Sequence, residues 1–213
     1  IELESAPCWT PKVSKIYFSR HKKTKFNNNI FLGQKLSPKI INKRNKNEFK
    51  NINIDKCYSS PITRCLETAK IKFKKGNIVT NNYLKEIDYG DAEGLNLKEL
   101  NKKYPHIVKM WSKGLDPKFP NGESSSDVFS RLESFTKNEL NSKKIKKNKN
   151  ILIFTHNVFL RCLVGHHLKI DKKKWFKINI RYFDLLEFAL EKDKLQVNID
   201  RNKYLSIFKN FLG

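Results

Sequence analysis

Ile16-Tyr17-Phe18-Ser19-Arg20-His21-Lys22-Lys23-Thr24 is a short apolar and aromatic run that stops at an arginine followed by a histidine. Apolar residues bounded by polar ones in this way predict a buried strand, which delivers Arg20 and His21 at its carboxyl end. Open α/β sheets place their ligands at that edge. A single His after a strand is an ordinary loop residue. The pair gains meaning from a second junction of the same kind far downstream, Ile151-Leu152-Ile153-Phe154-Thr155-His156, which brings another imidazole to the same edge. Two such junctions predict one site.

Between the junctions, helical and strand patterns alternate. Residues 22–35 are polar and Asn-rich, a loop long enough to fold over a site. Ser37-Pro38 offers a cap followed by Pro at a first helical position, predicting a helix that carries Ile40, Ile41 and Phe49. Residues 52–58 alternate as a second strand. Ser59-Ser60-Pro61 then opens a helix with Ile62, Cys65, Leu66 and Ala69 at i, i+3, i+4 and i+7, the amphipathic spacing. Arg64 falls in its first turns, beside an end whose free N–H groups and dipole favour anions. A strand, a capped helix start and then an arginine is a way to aim a guanidinium at a phosphate.

Ile78-Val79-Thr80 predicts a short third strand, leading into Glu86-Ile87-Asp88-Tyr89-Gly90-Asp91-Ala92-Glu93-Gly94, whose glycines and carboxylates mark a loop able to carry a general acid. Residues 97–111 read as helix broken at Pro105. Residues 118–124 read as a turn, with a capping box from Ser124 and Asp127 ahead of a helical face of Val128, Phe129, Leu132 and Phe135. A lysine-rich linker precedes the strand that ends at His156. Residues 158–168 predict a largely buried helix, residues 184–190 and 195–199 a terminal hairpin, and Tyr204, Leu205, Phe208, Phe211 and Leu212 a closing helix or turn. Strands alternating with helices imply a three-layer α/β/α sandwich with a mainly parallel central sheet.

Composition bounds the partners. The 213 residues suit one domain with a substantial core. Only 38% are hydrophobic, but 15 Phe and 7 Tyr supply large side chains to fill it. Lys plus Arg number 44 against 21 Asp plus Glu, a net charge of +23. The excess is mostly Lys mixed with Asn and Ile, a solvated face rather than a confined basic stripe interleaved with aromatics, so no specific nucleic-acid partner is expected. The field still attracts anionic substrates. Cys8, Cys57, Cys65 and Cys162 lack metal-site spacing and read as buried free thiols of a reducing compartment. No membrane span or signal peptide is visible, so a cytoplasmic location is expected. Residues 1–14, which have no periodicity, are expected to be an extension or linker, the remnant of a longer chain. Residues 15–213 are then the domain.

These residues resemble the histidine phosphatase superfamily, the phosphoglycerate-mutase-like fold, from about Lys15 to near Ile199. Arg20-His21 with Thr24 and Asn27 is similar to its N-terminal Arg-His-Gly motif. Ser59-Ser60-Pro61-Ile62-Thr63-Arg64 with Glu67-Thr68-Ala69 resembles its Ser-Pro…Arg…Thr-Ala segment, and Glu86 to Gly90 with Glu93-Gly94 its acid loop. Pro120-Asn121-Gly122-Glu123-Ser124 is similar to its Pro-x-Gly-Glu-Ser turn, and Thr155-His156 to the second histidine. Five motifs stand in the family's order. Residues 121–132 and 156–163 look most like the bisphosphatase domain of the bifunctional fructose-2,6-bisphosphate enzyme and the α-ribazole-phosphate-type phosphatases.

The resemblance implies a histidine acid phosphatase-type hydrolase of a small phosphate ester, such as a sugar phosphate, that works through phosphohistidine and needs neither metal nor cofactor. It implies His21 as nucleophile, Glu86 as acid, and Arg20, Arg64 and His156 around the phosphate oxygens, with Asn27 and the backbone N–H of Asn157 adding hydrogen bonds. Glu93 and Asp88 are the runners-up for the acid, each more simply read as a solvated loop carboxylate, and His166 and His167 are read as structural. The family's Gly and Glu after the first His are Lys22 and Lys23 here, either of which could add charge for a second phosphate. The short span from Gly94 to Pro120 favours a phosphatase over a mutase. A mutase-type phosphotransferase and an inactive phosphate-binding member of the fold remain as alternatives.

Overall fold

A computed structural model of the chain describes residues 13–26, 30–42, 52–73 and 76–197. The strands are β1 (Ser14–Arg20), β2 (Lys56–Ser59), β3 (Ile78–Thr80), β4 (Asn150–Thr155), β5 (Leu185–Glu191) and β6 (Lys194–Val197). They form one sheet in the order β3-β2-β4-β1-β5-β6. β1, β4, β2 and β3 run parallel, and the β5–β6 hairpin closes the β1 side antiparallel. The five described helices are α1 (Thr63–Lys72), α2 (Leu97–Lys103), α3 (Pro105–Ser112), α4 (Ser125–Glu139) and α5 (Asn157–His167).

The apolar runs of β1 and β4 are buried on both faces because side chains alternate across a strand and both faces of a parallel sheet are covered. Ile16, Phe18, Ile151 and Ile153 share one core with Leu132 and Phe135 of α4 and Phe159 and Leu163 of α5. Tyr17, Leu152 and Phe154 share a second core with Cys65 and Ala69 of α1 and with Phe183. Two cores on opposite faces of one sheet are the three layers. Each fully buried aromatic such as Phe18 contributes about 1.5–3 kcal/mol, and its edge-on contact with Phe188 at 5.6 Å adds to that.

The register positions the site. Arg20 pairs with Thr155 at the flush ends of β1 and β4, and the ladder continues one step further, His21 N donating to Thr155 O at 3.1 Å. His21 and His156 therefore leave the same edge side by side.

Two expectations are corrected. No helix starts at Ser37-Pro38 within the described residues. Ser37 Oγ instead accepts from Thr63 N at 3.0 Å and so caps α1, while Ile40 bridges Thr24 and Ile41 is 61% exposed. The second strand begins only at Lys56, because Asp55 turns its carboxylate to Asn150 N and Lys149 Nζ. The break at Pro105 and the Ser124–Asp127 capping box stand as expected. Cys8, Asn27, Phe49, Ile199 and the closing helix lie outside the described residues.

Candidate active site

Both histidines are buried, and their rings stand 5.2 Å apart at 60°. His21 Nδ1 lies 2.7 Å from Lys22 O, and Nε2 receives Arg64 Nε–H at 3.2 Å. A carbonyl at Nδ1 and a donor at Nε2 select one neutral tautomer, with the proton on Nδ1 and a lone pair on Nε2. Burial, then the Arg64 and Arg20 guanidinium groups, push the His21 pKa well below the usual histidine range, so the ring is held as a neutral base. His156 Nε2 lies 2.9 Å from Ser60 Oγ and 3.3 Å from Cys65 Sγ. Its pKa is also pushed well down, by burial first and then by Arg64, His21 and Arg20.

Arg64 is wholly buried. Besides His21 it donates to Leu36 O (3.1 Å), Leu32 O (3.3 Å) and Gly33 O (2.8 Å), which engages four of its five N–H groups. The segment that supplies those carbonyls is held in turn by Glu93, whose carboxylate accepts the backbone N–H groups of Gly33, Gln34, Lys35 and Leu36 at 2.6–3.2 Å. Glu93 is thus a brace rather than a solvated carboxylate.

Arg20 donates Nη1 to Ile180 O at 2.7 Å, and its guanidinium lies 3.7 Å from the centre of the Tyr182 ring. That ring is 5.9 Å from His21. Arg20 Nε is buried with no hydrogen-bond partner among the described residues, a donor that costs about 1–3 kcal/mol unless something accepts from it. Residue 22, glycine in the family, is accommodated as lysine. Its N–H donates to Thr68 Oγ1 at 3.0 Å and its Nζ sits 4.2 Å from the Phe183 ring centre. Lys23 is exposed.

The Glu86 carboxylate is buried at the N-terminus of α5, where it accepts from Asn157 N (3.0 Å), Val158 N (3.1 Å) and Ile87 N (3.1 Å). This revises the use of Asn157. Its backbone N–H, expected to face a phosphate, is donated to Glu86, because a helix N-terminus favours an anion and this carboxylate supplies one. The Asn157 Oδ1 atom is buried without a partner among the described residues. The Glu86 backbone is pinned as well, its carbonyl accepting from Gln34 Nε2 (2.8 Å) and Arg131 Nη2 (3.2 Å). Arg131 forms a bidentate pair with Glu123 at 2.9 and 2.8 Å and also donates to Tyr83 O and Lys85 O. Asp88 accepts from Gly90 N within its own turn at 2.8 Å. The turn itself needs Gly90, at φ +54°, because a Cβ there would collide with Pro120 O.

His166 and His167 lie at the far end of α5 against Phe129 and Phe188, at 4.8 and 5.2 Å. Among the described residues no cluster of His, Cys, Asp and Glu is arranged to hold a metal ion, and no helix is long and apolar enough to cross a membrane.

A profile of the histidine phosphatase superfamily (branch 1) matches residues 16–201, almost the whole chain. The chain belongs to the histidine phosphatase superfamily. The 2,3-bisphosphoglycerate-dependent phosphoglycerate mutase of Parvibaculum lavamentivorans is 30% identical over 137 residues, 62% of this chain and 65% of that protein. The fructose-2,6-bisphosphatase of Saccharomyces cerevisiae is 26% identical over 204 residues, 89% of this chain and 43% of that protein. The chain thus covers less than two thirds of either relative. Among solved structures, YhfR of Bacillus stearothermophilus superposes with a TM-score of 0.74 at 22% identity, covering 88% of this chain and 96% of that one. The α-ribazole phosphatase of Shigella flexneri gives 0.74 at 18% identity, with the same coverage of 88% and 96%. Both share the fold of this histidine phosphatase superfamily member.

Several residues around the two histidines carry no local sequence signal for a role there. Tyr182 follows a strandless stretch with no pattern to single it out. Arg131 lies on the polar side of an amphipathic helix, where a solvated arginine is the default. Glu123 sits inside a quoted motif, yet its partner Arg131 is one helix away. The spacing of eight between Glu123 and Arg131, from the turn before α4 into its second turn, is the only signal that could have joined them.

Proposed function

We propose that residues 15–213 form a phosphomonoesterase that hydrolyses a small phosphorylated metabolite through phosphohistidine at His21, with residues 1–14 as an extension. One observation carries the reading: a buried histidine held neutral, its Nε2 lone pair beside Arg64, next to an arginine whose Nε donor has no partner among the described residues. Nε2 attacks phosphorus as the ester P–O bond breaks. Arg20, Arg64 and His156 stabilise the charge on the equatorial oxygens, with Asn27 as a further donor. The Asn157 side chain, rather than its backbone N–H, joins that shell.

The Glu86 carboxylate takes up the proton of the bound phosphate monoanion and passes it to the departing oxygen, then takes one from the water that attacks the phosphohistidine. Inorganic phosphate and free His21 result. Burial of Cys57, Cys65 and Cys162 as free thiols supports a reducing, cytoplasmic setting. A phosphotransferase using the same phosphohistidine is the second reading, favoured by the 30% identity with a mutase.

Rapid acid-free quenching after mixing with a radiolabelled aryl phosphate should trap an acid-labile label on the wild-type protein and none on His21→Ala. Label persisting in His21→Ala, or absent from a wild type that turns over, overturns the mechanism. Release of inorganic phosphate in the absence of an acceptor alcohol separates hydrolysis from transfer.

A further inference from the structure

Next to Ile87 the fold forms a half-open cavity of about 480 Å³, within the range of small-molecule sites. Ile87 and Val158, whose N–H groups both hold the Glu86 carboxylate, belong to its wall. So does Arg161, one turn further along α5 from Asn157. Six aromatic residues, Phe31, Tyr89, Trp111, Phe119, Trp175 and Phe176, make up much of the remaining wall, with Leu97, Val108, Pro117 and Cys162 adding apolar surface and Ser112, Asp116 and Ser125 polar groups. Phe31, Tyr89, Trp111 and Phe119 pack on one another with ring centres 4.8–6.1 Å apart, which makes a rigid surface.

Most polar groups of the wall are already engaged. Asp116 accepts from Ser125 N and from Ser126 N and Oγ at the start of α4. Ser112 donates to Lys109 O, and Trp175 Nε1 to Ile170 O. Arg161 donates only Nε, to Ile178 O at 2.8 Å, so among the described residues its two terminal nitrogens are a polar handle at the Glu86 end.

We propose that this cavity receives the leaving group, and that the preferred substrate is a phosphomonoester of a bulky apolar or aromatic alcohol rather than of a sugar or glycerate. The inference rests on the phosphatase reading above, because it takes Glu86 as the group that protonates the departing oxygen; the carbon attached to that oxygen must then lie on the Glu86 side of the phosphate. A sugar would turn several of its hydroxyls toward Phe31, Trp111, Phe119 and Phe176, whose faces replace few of the hydrogen bonds lost with water. An apolar skeleton loses nothing there and removes its own surface from water.

The test uses n-alkyl phosphates from ethyl to hexyl, 3-phenylpropyl phosphate and glucose 6-phosphate. All depart as primary alkoxides, so rate differences report the carbon skeleton. kcat/KM is expected to rise about fourfold per methylene buried, with 3-phenylpropyl phosphate well above glucose 6-phosphate. Phe176→Ala, at the half-exposed rim, and Trp111→Leu, inside the wall, should each lower the ratio of 3-phenylpropyl to ethyl phosphate turnover by roughly fivefold or more, the scale of at least one lost methylene. A flat series in an enzyme that turns over ethyl phosphate overturns the cavity assignment and leaves the phosphohistidine chemistry standing. If nothing is turned over and no phosphohistidine forms, the chemistry fails instead. The cavity is then decided by calorimetry with the uncleavable phosphonates: 3-phenylpropylphosphonate binding tighter than ethylphosphonate supports it, and equal binding overturns it.

Discussion

Glu93 touches none of the groups assigned to phosphate or proton transfer, yet its replacement by Gln should slow the enzyme. Oε1 accepts from Gly33 N and Leu36 N, and Oε2 from Gln34 N and Lys35 N. In Glu93→Gln one oxygen remains to serve two of those N–H groups, while the new amide turns donors toward the other two. Each lost bond to a charged acceptor is worth about 1.5–3 kcal/mol, offset where water takes over. Lys35 and Leu36 are exposed, so the offset is large and a net of about 1–3 kcal/mol remains.

That loss falls on the conformation in which Leu32 O, Gly33 O and Leu36 O anchor Arg64 against His21. It corresponds to a decrease of about 5- to 150-fold in kcat/KM if the braced conformation is the active one. Steady-state kinetics with an aryl and an alkyl phosphate, and competitive inhibition by inorganic phosphate, read it out. A brace predicts equal losses on both esters and a phosphate inhibition constant raised in step. A loss confined to the alkyl ester would mean that Glu93 donates the proton and would refute the brace. So would an unchanged phosphate inhibition constant.

Glu86→Gln should cost something like 10²–10⁴-fold on alkyl phosphates but far less on an activated aryl ester, and should still form phosphohistidine; equal losses would remove Glu86 as the acid. Stability should depend on pH through the buried histidines. Burial lowers the folded pKa of His21, His156 and His167, the last to about 4, against 6.5 for a free ring. The unfolded chain therefore binds protons first, and stability is complete above about pH 6.5 and lost as pH falls toward 4. Thermal melts should be flat from pH 7 to 8 and drop below 6.5, with His167→Gln flattening part of the fall. Melting temperatures that rise on acidification would contradict this.

What could be read in advance follows from how local each signal is. The runs ending at His21 and His156 are continuous, apolar and terminated by polar residues, so both strands and the edge they share were legible. Ser124 and Asp127 made a legible cap because both partners sit within one turn. Ser37 misled for the opposite reason: its hydroxyl satisfies Thr63 N, 26 residues away, and a local rule assigns it to the next helix in sequence. The Glu93 brace has no side-chain signature, since all its partners are backbone N–H groups. The Asn157 N–H was assigned to a phosphate because nothing local shows that Glu86, 71 residues earlier, reaches it first. Asn27 lies outside the described residues, so its part in the site rests on the motif alone.

The pairing of Arg20 with Thr155 has a consequence for biogenesis. The two imidazoles belong to strands far apart in sequence, Ser14–Arg20 and Asn150–Thr155, and their spacing is measured by the pleat of the sheet rather than by any local turn. A nascent chain still lacking β4 holds Arg20, His21, Arg64 and Glu86 but has no wall to set them against. The two histidines are therefore brought together only once β4 has been made and has paired with β1.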